Sequence, residues 1–246
     1  MDIMDRYVEW EANDLKDHQG CTFSSKLLKK IQKILPENME ATAETGCGKS
    51  TILFSNISKK HFVFALDDRD ALDNSSVNFY RNCPLTEIDN VIEIFGPTQK
   101  TLPVFEHSAF YDCVLIDGPH GFPFPELEYY FFYPRIKEGG FLIIDDVNIP
   151  TIGRMADILA DDEAWNLIEI VGCTAIFRRT NHSITDPFAD DWWKQMYNRM
   201  RVSKNRSDVF VKSDSVKNKI TSLKLDQKLH KDRSIKRILK RLFLRG

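Results

Sequence analysis

Two segments decide the fold: Tyr111-Asp112-Cys113-Val114-Leu115-Ile116-Asp117-Gly118-Pro119-His120 and Glu138-Gly139-Gly140-Phe141-Leu142-Ile143-Ile144-Asp145-Asp146-Val147. Each is a short apolar run, the pattern of a strand buried on both faces, and each stops abruptly on acid. In an open α/β sheet, ligands bind outside the carboxyl ends of the strands. On this reading Asp117, Asp145, Asp146 and His120 collect at one crevice. Crowded carboxylates repel one another, and a cation or a proton relieves them.

The rest of the chain supplies partners for these two strands. Ser24 and Ser25 cap a helix whose apolar face is Leu27, Leu28, Ile31, Ile34 and Leu35, stopped by Pro36. A weak strand at Ala41–Glu44 leads into the turn Thr45-Gly46-Cys47-Gly48-Lys49-Ser50, with a helix expected over Thr51–Ser58. His61–Leu66 reads as a strand ending at Asp67 and Asp68, followed by a helix over Asp70–Tyr80. Asn90–Phe95 is the next strand and runs into Gly96-Pro97-Thr98-Gln99. Helices are expected over Pro125–Tyr133 and 152–160. Asn166–Val171 and Thr174–Arg178 flank Gly172-Cys173 as a terminal antiparallel pair. Strands alternating with helices predict an α/β fold: a Rossmann-like, doubly wound, mostly parallel seven-stranded sheet with an antiparallel terminal hairpin. The expected organisation is an N-terminal extension over 1–23, a domain over 24–180 and a basic helical C-terminal extension over 181–246. Residues 1–20 are polar and acidic and show no clear pattern.

Composition narrows the class. With 246 residues, 42% hydrophobic and 28% charged, the chain has the make-up of a soluble globular protein with a full core. No apolar run approaches the roughly 18–20 residues that span a bilayer. The acidic start Met1-Asp2-Ile3-Met4-Asp5 lacks the layout of a secretion signal, so a cytoplasmic location is expected. Five scattered cysteines, none in a CxxC pair, argue for reduced thiols and against a zinc site. The net charge of −2 conceals polarity along the chain: residues 194–246 hold 17 Lys and Arg against 4 Asp and Glu. The end of this basic stretch, Ser234–Arg245, spaces Ile235, Ile238, Leu239, Leu242 and Phe243 as one helical face, with Lys236, Arg237, Lys240 and Arg241 on another. Such a helix suits the inner membrane surface, an acidic partner or a homo-oligomer contact. Nucleic acid is disfavoured, because stacking aromatics are nearly absent beyond Phe210.

The turn at Gly46–Ser50 admits three readings. A phosphate-binding P-loop needs a glycine five residues before Gly48, where the chain has Ala43. A GxGxxG dinucleotide turn needs a third glycine where Thr51 stands. The remaining pattern is acid-x-Gly-x-Gly, here Glu44-Thr45-Gly46-Cys47-Gly48, which lets backbone pass close to a ligand without a phosphate cradle. Asp67, 21 residues after Gly46 and at a strand end, is then placed to accept from a ribose diol.

In order along residues 24–178, these blocks resemble class I S-adenosylmethionine-dependent methyltransferases, and among them the small metal-dependent O-methyltransferases of the catechol and macrocin type. The resemblance implies cofactor contacts at Glu44, Gly46, Gly48 and Asp117, ribose contacts at Asp67 or its neighbour Asp68, and adenine-edge contacts at Thr98 and Gln99. It implies metal ligands at Asp117, Asp145 and Asp146, with Mg²⁺ or a similar divalent cation as the expected ion. Asp146 departs from the catechol branch, which carries Asn there, and matches the macrocin-like one. The catechol-type general base is a lysine three residues after the first ligand; here that position is His120. The catalytic residues implied are therefore His120 and Asp117, and the acceptor a small molecule or glycan hydroxyl. The competing functional readings are a P-loop nucleotide kinase or NTPase, and a methyltransferase-like protein that binds without catalysis. Plainer roles are set beside these: Asp67, Asp117 and Asp145 as helix caps, and Lys49, His107 and His182 as solvated surface residues. Phe122 and Phe124, just after His120, are candidate walls of an acceptor pocket.

Overall fold

The computed structural model describes residues 2–13, 23–70 and 75–202. The strands are β1 (Thr42–Thr45), β2 (His61–Ala65), β3 (Val91–Phe95), β4 (Tyr111–Ile116), β5 (Ile136–Ile144), β6 (Trp165–Val171) and β7 (Thr174–Arg179). The helices are α1 (Ile3–Asn13), α2 (Ser25–Ile34), α3 (Lys49–Ile57), α4 (Ser76–Asn82), α5 (Thr98–Thr101), α6 (Phe124–Phe132), α7 (Pro150–Ala160) and α8 (Met196–Arg201). The seven strands form one sheet in the order β3-β2-β1-β4-β5-β7-β6, parallel except for β7 and β6. This is the Rossmann-like, doubly wound sheet with a terminal hairpin that the strand–helix alternation predicts.

The strand order reverses between β1 and β4, which is where such a sheet opens a crevice. Register brings the strand ends level there. Thr45 lies opposite Ile116, and Ile116 opposite Ile144, so Gly46, Asp117 and Asp145 leave neighbouring strands side by side. The ladder continues one step beyond the strands: Gly46 N donates to the Phe64 carbonyl at 3.0 Å and Asp145 N to the Ile116 carbonyl at 3.1 Å.

Alternation along the central strands fills two cores. Cys113 and Leu115 of β4 join Ile143 of β5 in one, with Leu28 and Ile31 of α2 and Leu53 and Phe54 of α3. Val114, Ile116, Leu142 and Ile144 face the other, with Phe64, Phe132, Ile152 and Phe177. Ser24 caps α2 as expected, accepting from Leu27 N at 3.2 Å. β1 is the exception to the apolar pattern: Thr42, Glu44 and Thr45 are all fully buried. The strand survives because each polar group has a partner. Thr42 bonds Ser58 at 2.9 Å and His61 Nδ1 at 2.8 Å.

Several expectations are corrected. The first helix, α1, places Ile3, Met4 and Tyr7 in the first core, so residues 2–13 pack as part of the domain rather than as an extension. The compact unit runs to Tyr197; the second unit begins at Asn198, of which residues 198–202 are described. The helix expected over Asp70–Tyr80 is Ser76–Asn82, while 71–74 fall outside the described residues. The basic helix at 234–245 also lies outside them. No helix of the described residues is long and apolar enough to cross a membrane.

His107 is not a solvated loop residue. Its ring packs among Phe64, Phe105, Tyr111 and Phe132, and Nδ1 meets the Tyr111 hydroxyl at 3.0 Å. Burial, with Arg135 nearby, pulls its pKa down to about 4. A histidine depressed in the folded state is held neutral there but takes up a proton when unfolded. It therefore stabilises the fold above about pH 6.5 and loses that contribution as pH falls toward 4. His107→Phe is expected to flatten the drop in urea midpoint between pH 6.5 and 4.5, recovering on the order of 2 kcal/mol at the acid end.

Candidate active site

At the carboxyl ends of β1, β2, β3 and β4 lies a cleft of about 630 Å³. Gly46 and Cys47 of the first turn form one wall and Ala65, Leu66 and Asp68 another. Gly96-Pro97-Thr98-Gln99 and Asp117-Gly118-Pro119-His120 complete it. Gly46 has φ +82°, and a Cβ there would stand 2.4 Å from the Asp117 carbonyl oxygen. Only glycine lets the β1 turn lie against the β4 tip in this way. Gly48, at φ 150°, starts α3, where its N–H donates to Thr51 Oγ1 at 2.9 Å.

The acids expected at the cofactor divide. Asp68 lines the cleft, and its carboxylate accepts from Ser75 Oγ at 2.9 Å, Ser76 N at 2.9 Å and Val77 N at 3.1 Å. Asp67 points outward and pairs with the Arg69 guanidinium, which holds its carboxyl below the usual range. The carboxylate lining the cleft is therefore that of Asp68. Glu44 is corrected as well: it is fully buried and its carboxylate accepts from Ser50 Oγ at 2.6 Å, from Thr51 Oγ1 and from His61 Nε2 at 3.0 Å. It braces the turn from below and does not line the cleft. Lys49, expected in solvent, is 8% exposed and donates to Glu11 of α1 at 2.6 Å. That bond pins α1 to the start of α3 and turns the ammonium toward the N-terminal helix.

The reactive end is built from β4, the loop after it and the end of β5. His120 Nε2 sits 3.6 Å from Asp117 Oδ1 and 3.2 Å from Asp146 Oδ2. Asp146 has φ +54°, a left-handed conformation that aspartate tolerates, and that turn breaks β5 at the point where its carboxylate meets His120. Burial pushes the Asp117 carboxyl up to about 7, opposed by the hydrogen bond from His120 and reinforced by Asp145. The same pairing raises His120. Asp145 is the third correction: it is 5% exposed and accepts a hydrogen bond from Thr174 Oγ1 of β7. Asp145 stays close enough to Asp117 to raise its carboxyl, but the three residues that offer donor atoms within 4.8 Å of one another are Asp117, His120 and Asp146. Two carboxylate oxygens and an imidazole nitrogen are a donor set that suits a divalent cation.

Residues 43–147 match a family model described as "Methyltransferase domain". Residues 43–147 are thus similar to a methyltransferase domain. The match contains every residue of the cleft and of the cluster described above. A relative, the ubiquinone/menaquinone biosynthesis C-methyltransferase UbiE of Blochmanniella floridana, is 29% identical over 129 residues, 52% of this chain and 48% of that one. The chain thus spans about half the length of this curated relative. Among solved structures, the methyltransferase fold is similar to an O-methyltransferase from Bacillus cereus in complex with S-adenosylhomocysteine (17% identity, TM-score 0.53, 73% of this chain and 90% of that one). It is also similar to the O-methyltransferase TomG of Streptomyces achromogenes in complex with S-adenosylmethionine (14% identity, TM-score 0.52, 74% and 91%). The class I methyltransferase fold expected from the ordered blocks is therefore the fold of this domain.

Proposed function

We propose that the chain is an S-adenosylmethionine-dependent O-methyltransferase that acts on a hydroxyl of a small molecule or glycan. The observation that carries this reading is the placement of the Asp117–His120–Asp146 cluster at the end of the cleft whose other walls are the glycine turn and Gly96–Gln99. The volume, about 630 Å³, suits a nucleoside-sized ligand with room for a reacting partner. Thr98 and Gln99 face the cleft after β3 and are assigned to the adenine edge, Asp68 to the ribose.

S-adenosylmethionine supplies an electrophilic methyl group on a sulfonium, so the protein's task is to align the acceptor oxygen and take its proton. His120 is assigned that proton, received at Nε2; both carboxylates beside it stabilise the imidazolium that forms. When Asp117 and Asp146 instead hold a divalent cation, the His120 nitrogen would complete its donor set, and the ion would lower the acceptor's pKa in place of the imidazole. Asp145 fixes the end of β5 through Thr174 and is assigned no ligand role. Phe124 in the cleft wall and Phe122, 69% exposed beside His120, give the acceptor side an aromatic face.

The nucleotide-kinase reading loses its main support, because the Lys49 ammonium is engaged by Glu11 and 8% exposed. Calorimetry should show S-adenosylhomocysteine binding in the micromolar range and no heat from ATP. ATP binding without S-adenosylhomocysteine binding would reverse the assignment.

A further inference from the structure

Glu128 of α6 is fully buried and lies outside the cleft lining, yet its carboxyl meets three of the elements that make the cleft. Thr45, at the tip of β1, donates its hydroxyl to Glu128 Oε2 at 2.7 Å. The same Thr45 Oγ1 accepts the backbone N–H of Asp117 at 3.1 Å, so the carboxyl reaches the tip of β4 through one hydroxyl. Gly118 lies directly over it: a Cβ at that position would fall 2.2 Å from Oε1. Thr98, at the start of α5, is the third contact. Its hydroxyl is close enough to draw the Glu128 pKa down, although the geometry falls short of a hydrogen bond. Thr98 Oγ1 and Glu128 Oε1 are buried atoms with no hydrogen-bond partner among the described residues.

A buried carboxyl is an expensive way to fill space, since an apolar side chain of similar volume avoids the desolvation cost. Its contacts are also specific: one oxygen to the β1–β4 junction, the other under Gly118 and Thr98. We propose that Glu128 is a positioning residue of the site, setting the distance between the Gly46–Asp117 end of the cleft and the Gly96–Gln99 end. This rests on the cofactor assignment above. Burial raises the carboxyl to about 7, so near neutrality the acid and the carboxylate coexist, and Oε2 accepts from Thr45 in both. Glutamine keeps that acceptor on its oxygen, with the shape of the acid and no charge.

The test compares Glu128→Gln, Glu128→Leu, Thr45→Val and the Leu/Val double variant by S-adenosylhomocysteine calorimetry and ligand-free melting. Glu128→Leu removes the Thr45–Glu128 bond, and Thr45→Val removes it together with the bond from the Asp117 N–H; each should weaken binding about tenfold or more. The double variant should be no worse than Thr45→Val alone, because both changes cut the same link from Thr45 to Glu128. Glu128→Gln should stay within about twofold of the parent. The melting midpoint of Glu128→Gln should change little, while Thr45→Val, which leaves Glu128 Oε2 and the Asp117 N–H without that hydroxyl, should melt lower; reading affinity well below both midpoints separates positioning from support of the fold. Unchanged affinity in Thr45→Val, additive losses, or a Glu128→Gln as weak as Glu128→Leu would overturn the proposal. If Glu128→Leu does not fold, Thr45→Val and Glu128→Gln decide alone. A parent protein that fails to bind S-adenosylhomocysteine removes the cofactor assignment and this proposal together; a binding parent with indifferent variants removes only the proposal.

Discussion

Gly46→Ala is expected to abolish S-adenosylhomocysteine binding, with a loss of at least about a hundredfold. Two costs combine. At φ +82° an alanine pays about 1–2 kcal/mol for the left-handed backbone. The larger cost is steric: the new Cβ would lie 2.4 Å from the Asp117 carbonyl oxygen, which belongs to a neighbouring strand and has no rotamer to change. The tips of β1 and β4 must separate, and both line the cleft. Gly172 provides the control. It also has positive φ, +62°, but sits at the β6–β7 hairpin with nothing within 4 Å of the added Cβ. Gly172→Ala should cost about 1 kcal/mol of stability and leave affinity untouched. Equal binding by the parent and Gly46→Ala would mean that the turn does not approach the ligand.

Replacing His120 should separate binding from chemistry. His120→Ala removes the imidazole between Asp117 and Asp146 but none of the glycine turn. Methyl transfer, read as S-adenosylhomocysteine release with an acceptor that the parent accepts, should fall about 10²–10⁴-fold, the usual contribution of a placed general base. Affinity for S-adenosylhomocysteine should remain within about threefold of the parent. Retained turnover would remove His120 from its assigned role and leave proton acceptance to a carboxylate.

The strands and the acids at their ends were legible because they rest on local pattern. Cys113–Ile116 and Phe141–Ile144 are continuous apolar runs with a sharp polar stop, and such runs have few structural solutions. What could not be read is where each carboxylate points. Asp145 and Asp146 are neighbours in sequence, yet one turns to Thr174 and the other, through a left-handed backbone, to His120. Asp67 and Asp68 divide the same way, one toward Arg69 and the other onto the first turn of α4. Glu44 looked like a cofactor acid because its partners, Ser50, Thr51 and His61, come together only once β1, β2 and α3 are packed. Helix α1 was missed because three buried residues, Ile3, Met4 and Tyr7, sit in an otherwise polar stretch, and its anchor to Lys49 joins Glu11 across a long separation in sequence. Glu128 carried no signal at all, being one of two acids, with Glu126, on an aromatic helix.

A crystal structure of the full chain with S-adenosylhomocysteine tests the central claim most directly. The account predicts the ligand in the cleft between Gly46 and Gln99, adenine toward Thr98 and Gln99, ribose toward Asp68, and sulfur toward Asp117 and His120. Ligand density elsewhere, or a sulfur facing away from His120, would contradict it.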